Sequence, residues 1–263
     1  MKAVLVRSLR ELERAAIGWS VAVAGVALMY AAFYPSVRDS AANLQTYFDN
    51  LPDSIKSVIG GNYATPAGYL RSELFSSLGL ILFLVFAIGA GSRAIAGEEE
   101  HRTVDLLLST PVRRRTLVTD KALAITGVTL LLGAVVFVAT TIAGPLFDLT
   151  VPASRLVGAS LMLVLLTIAF GAIALAIGTA TGRRTVGNAV AGGIAVVALI
   201  VNALAVSVPA LAPVKPLSPF RWYLEPDPLV SPVRPVNVVV LLAIALAAYA
   251  LAVVTFERRD LSS

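Results

Sequence analysis

The residues that most often perform chemistry in proteins are scarce in this chain. It has no cysteine and a single histidine, His101, which excludes disulfides, thiolate metal sites and any mechanism that uses two imidazoles. His101 lies in a charged segment, where we expect a solvated side chain and not a base or a metal ligand. The H-E-x-x-H motif and paired aspartates within apolar stretches are also absent, so an intramembrane hydrolase lacks its catalytic groups. We therefore predict no catalytic residue and no metal site on this chain.

The elements that this sequence builds are predicted to be membrane-spanning helices. Of the 263 residues, 57% are apolar and 14% are charged, whereas a soluble domain carries about a quarter charged residues. A helix that crosses a bilayer core of ~30 Å needs about 20 apolar residues. We expect an all-α, polytopic membrane protein whose single domain covers residues 1–263. Six uncharged stretches are predicted to cross, at residues 15–34, 74–92, 122–147, 156–182, 187–208 and 236–256.

The distribution of basic residues predicts the orientation of these spans. Four Lys and Arg residues precede the first span, six lie between the second and third, two lie between the fourth and fifth, and two follow the sixth. The other seven of the 21 lie on the opposite side. Cytoplasmic loops are enriched in basic residues, so we expect a multi-pass protein of the plasma membrane with both termini in the cytoplasm. The high isoelectric point, near 9.7, is explained by this topology, and we expect no nucleic-acid partner.

Residues 1–14 are predicted to form a helix that lies along the membrane surface. Apolar side chains recur on one helical face and arginines on the opposite face, namely Leu5, Leu9 and Leu12 against Arg7, Arg10 and Arg14. Such amphipathic helices lie in the interface with their cations near anionic lipid headgroups. The alternative is a disordered tail whose arginines serve only as topology anchors.

The cytoplasmic segment at residues 97–121 is predicted to contain a second short helix. Thr103 can cap it, Asp105 stands in its first turn, where the helix dipole favours an anion, and Pro111 cannot continue it. Leu106, Leu107 and Leu108 follow one another in an otherwise charged segment. A loop that only fixes topology needs arginines and no leucines. These leucines therefore predict docking against another protein.

A source of energy for transport is missing from the chain itself. It contains no G-x-x-x-x-G-K-[ST] motif, so it does not form a phosphate-binding loop. The six uncharged stretches hold no acidic, basic or histidine side chain, whereas transporters driven by protons or sodium usually have such groups within their spans. If the protein transports, its energy is expected to come from a separate chain.

The order of features around the cytoplasmic segment resembles that of permease subunits of type-two ABC exporters. An acidic cluster closes the second span, and a threonine, a leucine run, Ser-x-Pro, an arginine and a lysine lead into the third span. The end Arg258-Arg259-Asp260 is similar to that of the family as well. The resemblance implies that the short helix is a coupling helix seated in a separate ABC ATP-binding subunit, which binds ATP and Mg²⁺. It also implies two permease copies, as a homodimer or pseudo-dimer, with the pathway between them.

The resemblance assigns roles to individual residues. Glu98 and Glu99 would close the second span and meet basic residues near it. The docking helix would run from Thr103 to Ser109, and the return to the third span would follow it. These residues form the predicted partner-docking site: Glu98, Glu99, Thr103, Asp105, Leu106, Leu107, Pro111 and Arg115. A second cytoplasmic contact is predicted at Arg183 and Arg184, although two arginines that anchor a tight turn explain this pair equally well.

The sequence thus predicts the translocation subunit of an ATP-driven exporter. A membrane scaffold or anchor subunit without transport activity and a polytopic membrane enzyme are the alternatives. The outer loop at residues 35–73 is expected to contain a short helix that starts at Pro52 and Asp53. The aromatic run at residues 218–223 is expected at the lipid-water boundary.

Overall fold

The computed structural model describes residues 2–40, 65–100 and 113–259, with side chains from residue 5 onward. These residues form helices and turns and no strand, which confirms the all-α prediction. A π-helical turn, Arg71–Phe75, joins the second and third helices. The α-helices are Lys2–Asp39 (α1), Pro66–Leu70 (α2), Leu78–Glu100 (α3), Arg114–Leu146 (α4), Ala153–Thr181 (α5), Arg184–Leu204 (α6), Pro219–Leu224 (α7) and Pro235–Arg258 (α8). Two short 3-10 helices, Pro209–Leu211 and Lys215–Leu217, lie between α6 and α7.

Six helical segments within the described residues are long and apolar enough to cross a membrane, as predicted. Some of them extend beyond the predicted ends because hydropathy marks only the uncharged part of a helix. α3 continues from the predicted end at residue 92 to Glu100, and α4 begins at Arg114 and not at residue 122. α6 ends at Leu204, four residues before the predicted end, where the amides of Ser207 and Val208 bond to its carbonyl in a tight turn.

The amino-terminal residues form one continuous helix with the first span. Residues 2–14 are helical and pass into the span without a turn, and α1 continues through Pro35 to Asp39. The predicted outer loop at residues 35–73 is shortened at both ends by helix, and its predicted helix at Pro52 lies outside the described residues. The buried side chains of α1 recur at helical spacing, as in Val23, Ala27 and Ala31. This face packs against α4.

α5 is the central helix of the bundle. It is the most buried of the six spans and packs against α3, α4, α6 and α8. Glycines allow its backbone to approach α3 closely, since a methyl group on Gly91 would meet the carbonyl of Gly171. A methyl group on Gly178 would lie 2.7 Å from the carbonyl oxygen of Ser92. Small residues of this kind let membrane helices associate by close packing.

The end of the bundle that carries α7 is closed by buried polar contacts. The Tyr223 hydroxyl donates a 2.6 Å hydrogen bond to the carbonyl of Phe75, and burial raises the pKa of Tyr223 well above its usual value. The Asn237 side chain donates to the carbonyls of Trp222 and Glu225. Phe220 and Tyr223 are buried within the protein. The prediction that this aromatic run lies at the lipid boundary is therefore wrong for both residues, which pack against α5 and the turn before α3.

Candidate functional site

The candidate site lies where α3 ends and α4 begins, at the end of the bundle opposite α7. Residues 101–112 lie outside the described part of the chain. They include five predicted docking residues, namely Thr103, Asp105, Leu106, Leu107 and Pro111, as well as His101. The structure describes the residues on either side of this segment. The candidate site therefore consists of the contacts that these flanking residues make.

The first contact joins three helices through Lys121. The Lys121 ammonium on α4 donates to Glu98 on α3 at 2.9 Å and to Glu11 on α1 at 2.8 Å. Its side chain is only 10% exposed, and that of Glu98 is 14% exposed. Glu11 also pairs with Arg7 one turn earlier on α1. The lysine therefore ties the start of α4 to the end of α3 and to the first turns of α1.

The second contact joins Glu99 to the end of α8. The Arg259 guanidinium donates to Glu99 at 2.6 Å and to the carbonyl of Thr179 on α5 at 2.8 Å. Gly182 lies against this ion pair with a φ of +67°, and a methyl group there would meet both side chains. L-residues rarely adopt this backbone conformation, so the position strongly favours glycine, whereas the ends of the two flexible side chains could shift to make room for a methyl group.

Arg114 strengthens the same region from α4. Its guanidinium donates to the carbonyls of Arg259 and Phe256, at 2.6 and 3.2 Å, and lies 5.7 Å from the centre of the Phe256 ring. The last turn of α8 is therefore bonded to α4 as well as to α3 and α5. Positive charge near a helix C-terminus also stabilises the exposed carbonyls there.

The third contact joins Glu100 to the start of α6. The Arg184 guanidinium pairs with the Glu100 carboxylate at 2.9 Å, and the Arg184 backbone amide donates to the same carboxylate at 3.0 Å. A carboxylate at a helix N-terminus is favourable because it accepts from free amides and complements the helix dipole. Arg183 and Arg115 are exposed. Of the predicted second contact, Arg184 is thus held by α3, and Arg183 faces solvent.

Three consecutive carboxylates at the end of α3 therefore bond to three different helices. We call Glu98, Glu99 and Glu100, with their partners Lys121, Arg259 and Arg184, the carboxylate clamp. Consecutive residues of a helix point about 100° apart, so the three side chains reach α4, the end of α8 and α6. Acidic residues at a helix C-terminus oppose its dipole, and the basic partners offset that cost. The clamp fixes the helix end from which residues 101–112 leave.

The sequence predicted Glu98 and Glu99 as site residues but did not predict most of their partners. Glu11, Arg259 and the pairing of Glu100 with Arg184 were not predicted. The sequence feature that could have revealed these partners is a charged residue at the edge of an uncharged stretch, such as Lys121. A charge buried there needs an opposite charge nearby. Among the described residues, no group of His, Asp or Glu side chains could hold a metal ion.

Comparison with known proteins identifies a matching family. A family model described as "ABC-2 family transporter protein" matches residues 4–261. A search among curated proteins finds no match.

Proposed function

The chain belongs to the ABC-2 transporter family and is a membrane transport subunit, and we propose that it exports its substrate with energy from a separate ATP-binding subunit. The carboxylate clamp is the observation that carries the proposal. It bonds the helix end beside the predicted docking helix to α4, α6 and α8. A displacement of that docking helix would therefore move several spans together.

The proposed mechanism is mechanical. Leu106 and Leu107 would seat in the ATP-binding subunit, with Thr103, Asp105 and Pro111 setting the start and end of their helix. Arg115 and Arg183 are exposed and would meet acidic groups of the partner. When the partner binds ATP and closes, the segment would pull on the end of α3. The clamp would pass this motion to neighbouring spans, which would tilt as rigid bodies and alternate access.

The assembly that follows contains more than this chain. ATP and Mg²⁺ would be bound by the partner, since this chain has no phosphate-binding loop. Two permease copies would form the pathway between their bundles. The excess of basic residues on the side of the termini supports a plasma-membrane protein with both termini in the cytoplasm. The clamp and the docking helix would then lie on the side where ATP is available.

A pull-down of the co-expressed ATP-binding subunit tests the proposal. The variant Leu106→Glu with Leu107→Glu puts two charges on the predicted docking face, and we expect it to lose the partner while still inserting in the membrane. The matched control is Leu217→Glu with Val230→Glu, which places two charges on exposed apolar residues at the opposite end. The control should retain the partner. Equal recovery from both variants would contradict docking through this segment, and a captured partner without ATPase activity would favour a scaffold.

A further inference from the structure

A cavity of about 590 Å³ opens between α1, α3 and α4 beside the clamp. This volume lies in the range of small-ligand sites, about 300–1,000 Å³. Its wall has a polar part and an apolar part of similar extent. Five basic and two acidic residues line the polar part, namely Arg7, Arg14, Arg93, Lys121 and Arg184 with Glu11 and Glu98. The cavity therefore carries a net positive charge.

Most of the net positive charge of the cavity comes from two arginines, Arg14 and Arg93. Lys121 and Arg7 pair with Glu11, and Arg184 pairs with Glu100. Arg14 on α1 and Arg93 on α3 form no ion pair with any residue in the described ranges, and both are exposed. Two guanidinium groups from two different helices thus line one cavity with their donors available. Arginines placed in this way bind phosphate oxygens well, because the planar donors match them in geometry and charge.

Ser8 is an independent indication that this cavity is a binding site. Its residue is 2% exposed and lines the same cavity, and its hydroxyl has no hydrogen-bond partner in the structure. A buried hydroxyl without a partner costs about 1–3 kcal/mol, so such groups in native proteins usually have a partner. The hydroxyl oxygen is itself covered in this conformation, so a ligand oxygen in the cavity would satisfy it once the Ser8 side chain turns about χ1.

The apolar part of the wall indicates what else the ligand carries. Leu12 and Ala15 of α1, Ala94 of α3, and Ala124 and Ile125 of α4 line it. A small inorganic anion would leave this surface uncovered, whereas an amphiphile would cover it. Basic pockets between membrane helices bind anionic lipid headgroups by the same chemistry.

We infer that this cavity binds an anionic phospholipid through its phosphate group. Arg14 and Arg93 would hold the phosphate, the Ser8 hydroxyl would donate to it, and an acyl chain would lie along Leu12 and Ile125. The ligand would join α1 to α3 at a place where the clamp already joins α3 to α4. Inorganic phosphate offers the same charge without the apolar part, so the two sources can be separated by experiment.

Binding of short-chain lipids to the purified full-length chain in neutral detergent tests the inference. We expect phosphatidylglycerol to bind at least about tenfold more tightly than phosphatidylcholine, since each nearby arginine adds about fivefold in affinity for an anionic headgroup. Millimolar inorganic phosphate should not displace the bound lipid. Displacement by phosphate would overturn the lipid assignment in favour of a soluble ligand.

Variants locate the site. Arg14→Gln with Arg93→Gln should weaken phosphatidylglycerol binding about 30-fold, and Ser8→Ala should weaken it less. The matched control, Arg155→Gln with Arg234→Gln, removes two arginines outside the cavity and should bind like the wild type. Equal affinities for the two lipids, or equal losses in the arginine pair and the control, would refute the inference. The assay needs no ATP-binding subunit, so its failure would leave the proposed coupling untouched.

Discussion

The pair between Glu99 and Arg259 gives the sharpest test of the carboxylate clamp. Replacing Arg259→Met removes the cation from a glutamate side chain that is 12% exposed and also removes the donor to the Thr179 carbonyl. Loss of one partner of a buried ion pair costs about 3–5 kcal/mol. Because Arg259 is itself 27% exposed, we expect the lower end, about 3 kcal/mol. In a chain of this size that corresponds to a fall in unfolding temperature of about 6–12 °C.

Thermal unfolding of the purified protein in detergent measures this effect. The matched control is Arg7→Met, which breaks an exposed pair on α1 and should cost about 0.3–0.5 kcal/mol. Adding Glu99→Gln to Arg259→Met should recover part of the lost stability, because it removes the charge left without its cation. The reasoning would be refuted if Arg259→Met unfolded at the temperature of Arg7→Met. A further decrease on adding Glu99→Gln would refute it equally.

Three further substitutions test local parts of the structure by the same unfolding measurement. Gly182→Ala should cost about 1–2 kcal/mol from its left-handed backbone, and an unchanged unfolding temperature would contradict the assigned turn. Tyr223→Phe leaves the Phe75 carbonyl without its donor and should cost about 1–3 kcal/mol; a neutral effect would mean that water reaches this carbonyl. Asn237→Ala removes two hydrogen bonds to backbone carbonyls and should destabilise at least as much as Tyr223→Phe.

The fold class and the number of spans could be predicted because both depend on local composition. A run of about 20 uncharged residues has few stable arrangements in a bilayer other than a helix. Helix ends were harder to predict from the sequence, because a helix can continue into polar sequence where its charges are paired. α3 runs past residue 92 because Glu98 and Glu99 find cations on other helices. Such long-range pairs are set by packing and leave no periodic signal.

The site shows the same division between local and long-range information. The sequence singled out Glu98 and Glu99 through a family resemblance, but it did not connect Glu100 with Arg184 or Glu99 with Arg259. Those residues lie 84 and 160 positions apart in the chain. The buried aromatic residues of α7, Phe220 and Tyr223, were predicted at the lipid boundary because composition alone does not distinguish aromatic residues that face lipid from those packed inside the protein. Their burial depends on contacts with α5 and α8, which only the fold provides.

Site-specific crosslinking tests the central claim, that the segment after α3 docks on an ATP-binding subunit, most directly. The chain has no cysteine, so Leu107→Cys introduces a single thiol on the predicted docking face, and Leu217→Cys introduces one at the opposite end as a control. A thiol-attached photocrosslinker on each variant, in membranes that contain the co-expressed ATP-binding subunit, reports what lies beside it. We predict a covalent product with that subunit from Leu107→Cys and none from Leu217→Cys. Equal products from both positions, or no protein product from Leu107→Cys, would contradict the claim.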